Sequence, residues 1–263
     1  MIDVPTQADA PCPPPPALDD AERETYGWQI DVEGLGETGQ RLLKGATVLV
    51  SRVGGLGGAV AQYLAAAGVG RLVLAHAGNV RPSDLNRQIL MTHAGIGRSR
   101  IESARRRLLE LNPNLDVVAV PENISPQNAD ALVARADVVV DAAPLFTERY
   151  ALNRAAMVAR RPLVECAVYD LEFHLTTVRP GVTACLRCLY PEPSATWQRR
   201  FPVLGAVSGA AGTLAALEVI KCITGVAQPL THALLVGDLR TLAFRKFRTH
   251  RNPRCPDCGT LAP

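Results

Sequence analysis

Lysine is nearly missing from this chain. Of its 28 basic residues only Lys44, Lys221 and Lys246 are lysine; the rest are arginine. A site that needs a fixed cation must therefore rely on the planar arginine fork rather than on a point charge. Strong charge of either sign is also missing: the formal net charge is +3, too small to imply nucleic acid as a partner. No unbroken apolar run reaches the roughly 18 residues that a membrane span needs, and the N-terminus lacks a signal-peptide core. There is no disulfide framework. The seven cysteines are an odd number, and Cys12, Cys166 and Cys222 show no framework spacing. A reducing, cytoplasmic setting is the expectation, with neither membrane nor nucleic acid as partner. No internal repeat is present. What the chain does have is 263 residues, 48% of them apolar, enough for a sizeable core without disulfides.

Residues 1–20 include Pro11, Pro13, Pro14, Pro15 and Pro16 and read as a disordered or polyproline II leader. Residues 21–263 read as one domain, of which 171–263 is an antiparallel section. A helical lead-in over 21–45 precedes a buried strand at 46–50. Gly54-Gly55-Leu56-Gly57-Gly58 follows, and then a helix from Ala59 to Ala67. Further strands are expected at 71–75, 117–120, 137–141 and 162–166. Helices are expected at 99–111, 128–134 and 148–158, the first stopped at Asn112-Pro113. This alternation predicts an α/β fold with a doubly wound, mostly parallel sheet. Beyond Asp170 the pattern changes. An antiparallel strand is expected at 171–178 and two more within 234–247, with a long apolar helix over 205–223.

The glycine turn follows a strand and opens a helix, where backbone N–H groups and a helix N-terminus can hold phosphate. Such glycines also serve simply for tight turns. No acidic residue follows the second strand; His76-Ala77-Gly78 stands there, which disfavours an NAD site. Ser83-Asp84-Leu85-Asn86-Arg87-Gln88 lies beyond the second strand, on the carboxyl edge. Arg87 could neutralise phosphate there, with Asn86 or Gln88 adding hydrogen bonds; the alternative is a surface arginine in a turn. Cys185-Leu-Arg-Cys188 and Cys255-Pro-Asp-Cys258 together supply the four thiolates of a tetrahedral structural Zn²⁺ site. A redox dithiol is the alternative, weakened because redox motifs rarely come as two matched pairs. Metal at these residues would pin the C-terminus to the loop near residue 187.

Taken in order, these motifs resemble the ThiF/MoeB/HesA family, bacterial relatives of ubiquitin-activating enzymes. The likeness runs over roughly residues 21–260. Asp84-Leu-Asn-Arg-Gln-Ile-Leu-Met91, Leu175-Thr-Thr-Val-Arg-Pro-Gly-Val-Thr183 and Val203-Leu-Gly-Ala-Val-Ser-Gly209 are similar to the HesA branch. The resemblance implies a Rossmann-like homodimer that binds ATP with Mg²⁺. It implies adenylylation of the C-terminal carboxylate of a small ubiquitin-like sulfur carrier, releasing pyrophosphate. Gly54, Gly55, Leu56, Gly57, His76, Asn86, Gln88 and Asp141 would line the nucleotide, Arg87 and Arg100 would act on its phosphates, and Cys185, Cys188, Cys255 and Cys258 would hold zinc. HesA-like context implies sulfur or metallocofactor supply, with nitrogenase as the destination.

The chain departs from the family pattern around ATP. Arg52 stands at the first glycine of the turn. His76 and Gly78 stand at the acidic positions after the second strand, Arg100 at the lysine that meets the α-phosphate, and Pro144 at the acidic metal position. Trp28 stands at the arginine that reaches across the dimer, and the sulfur-transfer cysteine of some relatives falls near Gln198. Arg52, Arg81, Arg87, Arg98 and Arg100 could replace the lost contacts if they converge. Two functions follow from these residues. One is an adenylyltransferase with a remodelled site. The other is a non-catalytic scaffold that binds a sulfur-carrier or metallocluster-assembly protein. A Rossmann oxidoreductase, supported only by the glycine turn, is a distant third.

Overall fold

In the computed structural model of the chain, residues 14–193, 197 and 200–262 are described. Most of the expected leader, including Cys12, lies outside them. Residues 15–18 are tethered rather than free: Arg41 donates to the carbonyls of Pro15 (2.7 Å) and Pro16 (3.2 Å), Lys44 donates to that of Ala17 (2.8 Å), and Leu18 is buried.

Asp19 caps α1 (Asp20–Ile30) through a reciprocal capping box with Glu22, which satisfies two orphan N–H groups at once. The single lead-in helix expected over 21–45 is two helices, because Gly34 and Gly36 take positive φ and break it before α2 (Gly36–Gly45). There follow β1 (Thr47–Val50), α3 (Gly55–Ala66), β2 (Arg71–Ala75), α4 (Arg100–Leu111), β3 (Asp116–Val120), α5 (Ala129–Val133), β4 (Val138–Asp141) and α6 (Phe146–Val158). The chain closes with β5 (Leu163–Tyr169), β6 (Glu172–Val178), α7 (Leu186–Leu189), α8 (Gly205–Thr224), β7 (Ala233–Asp238) and β8 (Ala243–Arg248).

Among the described residues, eight strands form one sheet in the order β3-β2-β1-β4-β5-β6-β7-β8. The first five are parallel and the last three antiparallel, as the alternation predicts. The central parallel strands β1, β2 and β4 are buried on both faces, so successive residues feed different cores. Val48, Val50, Leu72 and Leu74 pack with α3, α4 and α8, whereas Leu49, Val73 and Val139 pack with α5 and α6. By length and composition α8 could cross a membrane. Here it packs on α3 and β5, with Ala211, Ala215 and Val219 fully buried or nearly so. Gly212 permits the approach to α3: a Cβ there would lie 2.5 Å from the Leu56 carbonyl oxygen and 2.8 Å from the Ala59 Cβ.

Candidate nucleotide site and cysteine cluster

Strand β1 leads through Ser51, Arg52 and Val53 into the turn that opens α3. The turn is tight. A Cβ on Gly57 would collide with the Arg52 carbonyl oxygen, so only glycine fits. A Cβ on Gly55 would sit 3.1 Å from the Ser208 hydroxyl and 3.3 Å from the Arg87 Cγ, and one on Gly54 would sit 4.0 Å from the Gln88 Nε2. The α3 N-terminus, the Asn86-Arg87-Gln88 segment and the first turn of α8 thus meet at one point on the carboxyl edge. Leu56 is buried in this turn, and the exposed Asn86 accepts from Arg87 (2.9 Å).

Asp84 organises the segment. Its carboxylate accepts from the Arg81 backbone (2.9 Å), from Gln88 Nε2 (2.8 Å) and from Arg100 Nε and Nη2 (3.0 and 2.7 Å). Arg100 also reaches the Ala77 carbonyl (3.3 Å). Its fork fits because residue 78 is glycine: a Cβ there would lie 2.9 Å from Arg100 Nη1. The absent acid at residue 78 and the arginine at residue 100 are therefore one steric arrangement. His76 is buried at the end of β2, where its backbone N–H donates to the Val120 carbonyl (3.1 Å).

Neighbouring residues on the first turn of α6 face two ways. Glu148 takes Arg52 in a two-bonded pair, Nε to Oε2 at 2.8 Å and Nη2 to Oε1. Arg149 lies between Asp141 (2.9 Å) and Glu165. Asp141 therefore sits on the carboxyl edge as expected, but its carboxylate is held by Arg149 and by the Ala143 N–H (3.1 Å). Burial works against the Arg149 charge, yet the two carboxylates overcome it and raise its pKa. Burial, opposed by Arg149, pushes the Glu165 carboxyl up to about 7. Beside this group, His174 Nδ1 and the Tyr190 hydroxyl are 2.6 Å apart.

The five arginines do not converge as free cations. Arg52 and Arg100 carry carboxylate partners, Arg81 and Arg98 are exposed, and Arg87 lies beside Gly55, with Asp84 only at 4.0 Å. Trp28 stands 94% exposed on α1. The Pro144 carbonyl accepts from the Trp197 indole (2.8 Å), and Gln198 lies outside the described residues. Glu148 and Arg149 were not singled out by any motif, whereas Asp84 lies inside the Ser83–Gln88 segment and Ser208 inside the Val203–Gly209 stretch.

The implied metals fare differently. The four sulfurs of Cys185, Cys188, Cys255 and Cys258 lie within 4.8 Å of one another, with neighbours at 3.4, 3.6 and 3.9 Å. Zn–S bonds of about 2.3 Å in a tetrahedron require sulfurs about 3.8 Å apart, so this cluster fits such an ion. Mg²⁺ prefers one or two carboxylates of its own. Each carboxylate buried at the carboxyl edge among the described residues, namely Asp84, Asp141, Glu148 and Glu165, is already paired with arginine. These side chains do not fit a protein-held Mg²⁺.

A doubly wound sheet in this strand order defines a Rossmann-like α/β protein. Within that class the chain belongs to the ThiF family, whose profile matches residues 26–257. It is 49% identical over 244 residues to "Protein HesA, vegetative" of Trichormus variabilis, covering 92% of each chain. It is 38% identical over 247 residues to the "Sulfur carrier protein adenylyltransferase" of Thermus thermophilus, covering 90% of this chain and 91% of the relative. The solved structure of E. coli MccB with ATP has a TM-score of 0.79 at 22% identity, covering 90% of this chain and 75% of that one; this likeness concerns the fold. The relatives bear out the family resemblance and the HesA likeness within it.

Proposed function

We propose that this chain is an adenylyltransferase acting on the C-terminal carboxylate of a small ubiquitin-like or sulfur-carrier protein. The observation that carries this reading is the meeting of the glycine turn with Arg87 and Gln88 at Gly54 and Gly55. In the reaction a carboxylate oxygen of the carrier attacks the α-phosphorus of ATP. The new oxygen–phosphorus bond forms as the bond to the pyrophosphate oxygen breaks, giving acyl adenylate and pyrophosphate. Such a step needs alignment and neutralisation of phosphate charge. The N–H groups at the start of α3 would hold phosphate. Arg87 would face its oxygens, and Asp84 would orient Gln88 and Arg100.

Relatives named for sulfur-carrier activation and for HesA support a carrier protein as substrate and a sulfur or metallocofactor pathway, with nitrogenase as the destination. We place the chain in the cytoplasm as a homodimer, with zinc in the four-cysteine cluster. There zinc would supply a structural cross-link between two loops and no chemistry at the nucleotide. Labelled pyrophosphate exchange into ATP in the presence of candidate carriers tests the activity. Absence of exchange together with absence of an ATP-induced rise in melting temperature overturns it. One observation favours the second reading, a scaffold without turnover: Arg52, Arg100 and Arg149 already hold carboxylates. A stable complex with a sulfur-carrier or metallocluster-assembly protein, with neither exchange nor ATP binding, would select that reading.

A further inference from the structure

The open crevice of a doubly wound sheet lies where the winding reverses, here between β1 and β4, which pair directly while α3 and α6 pack on opposite faces. The Arg52–Glu148 pair spans that crevice. Arg52 is two residues beyond β1, and Glu148 lies in the first turn of the helix that follows β4. Their side chains are 9% and 8% exposed. The pair consumes one edge of the guanidinium, through Nε and Nη2. Arg52 Nη1 makes no hydrogen bond to any described residue, which leaves three of the five N–H donors uncommitted. The backbone of Arg52 is fixed as well, because its carbonyl packs against Gly57 in the turn. The result is a permanently charged group, oriented from behind by a carboxylate and anchored to the phosphate-binding turn.

We infer that Arg52, oriented by Glu148, is the fixed cation for the nucleotide polyphosphate, and that ATP binds without a divalent ion held by the protein. This rests on the adenylyl-transfer reading. The carboxylates that could have held a divalent ion are spent on arginine, and residue 144, a proline, offers none. Arg52 is a binding residue in this scheme, and Glu148 is its positioning residue.

Calorimetric titration of the full-length protein with ATP tests the inference, with excess MgCl₂ in one arm and EDTA in the other. The wild-type dissociation constants should agree within about threefold. The paired variant Arg52→Gln/Glu148→Gln keeps side-chain size and leaves no lone buried charge. It should lose about tenfold or more in ATP affinity while binding AMP within about threefold of wild type, a contrast that a merely structural role would not produce. Arg52→Lys, which keeps the charge but not the fork, should fall between the two and decides the matter if the paired variant does not fold. ATP binding that collapses in EDTA overturns the inference and leaves adenylyl transfer standing. Unchanged ATP affinity in the folded paired variant does the same. Absence of ATP binding in both arms overturns adenylyl transfer itself, and the inference with it.

Discussion

Glu165 is fully buried on β5, with one oxygen on Arg149 and the other, Oε2, without a hydrogen-bond partner among the described residues. Burial raises its pKa from 4.5 to about 7. Between those values the folded chain holds a proton that the unfolded chain has released, so stability is greatest at the acid end and falls as pH rises towards 7. His174 works in the opposite sense: burial, then the Arg149 charge, lowers its pKa, so its contribution is lost as pH falls below its ordinary value near 6.5. Replacing Glu165 with Gln isolates the first effect. Thermal melts from pH 5 to 8 should show a downward slope in wild type that is reduced in the variant; equal slopes would show that Glu165 does not titrate there. Asp84 gives a second residue-scale prediction. Asp84→Ala strands Arg100 and Gln88 and should cost about 3 kcal/mol in urea unfolding, whereas Asp84→Asn, which keeps an acceptor for Gln88, should cost less. The sequence marks Arg87 and Gln88 because they sit together in a motif. It cannot mark Arg52 with Glu148, 96 positions apart, because that pair exists only once β1 and β4 lie side by side.

At the scale of elements, the close meeting of α3 and α8 is set by small residues. Gly212 sits against Leu56 and Ala59, and Gly205 packs against the Asn86 carbonyl. Gly212→Val would push α8 off α3 and tilt the turn that α3 opens. It should lower stability by about 1–3 kcal/mol and weaken ATP binding, although residue 212 contacts no phosphate-facing side chain. Chemical denaturation with parallel ATP titration checks this; a stability loss with unchanged ATP affinity would show that the turn is rigid independently of α8. The strands and long helices are legible because apolar residues repeat with the right period and glycine or proline ends them. α3 starts at Gly55 rather than Ala59, since glycines give no helical signal even where the backbone is helical. The four-residue α7 is too short for periodicity to reveal, and the break in the lead-in turns on two glycine φ angles.

At the scale of the whole molecule, the four-cysteine cluster ties the last residues of the chain to the loop after β6. The sequence made this legible through the count of thiolates, but not through the surrounding contacts. Asn153 on α6 is fully buried and holds both cysteine loops, accepting from the Leu186 N–H (2.9 Å) and donating to Asp257 (2.6 Å). Arg251 closes the terminal loop by donating to the carbonyls of Cys258 (3.1 Å) and Gly181 (2.7 Å). These contacts brace the loops alongside the four thiolates. Elemental analysis should find one zinc per chain, and Cys258→Ser should lose it and expose the segment after residue 249 to protease. Asn153→Ala should keep the stoichiometry but release zinc to a chelator faster, because the loops are no longer held from behind. Disulfides in place of zinc in protein purified without reductant or chelator would refute the structural-metal reading. Unchanged release in Asn153→Ala would mean that the thiolates alone order the loops. The cluster lies with α6 and α7 in the core on one face of the sheet, and the turn at Gly54–Gly57 opens α3 on the other. Zinc removal should therefore loosen the C-terminus while ATP affinity changes by less than about threefold. Parallel loss of both would mean that the sheet transmits strain between its faces.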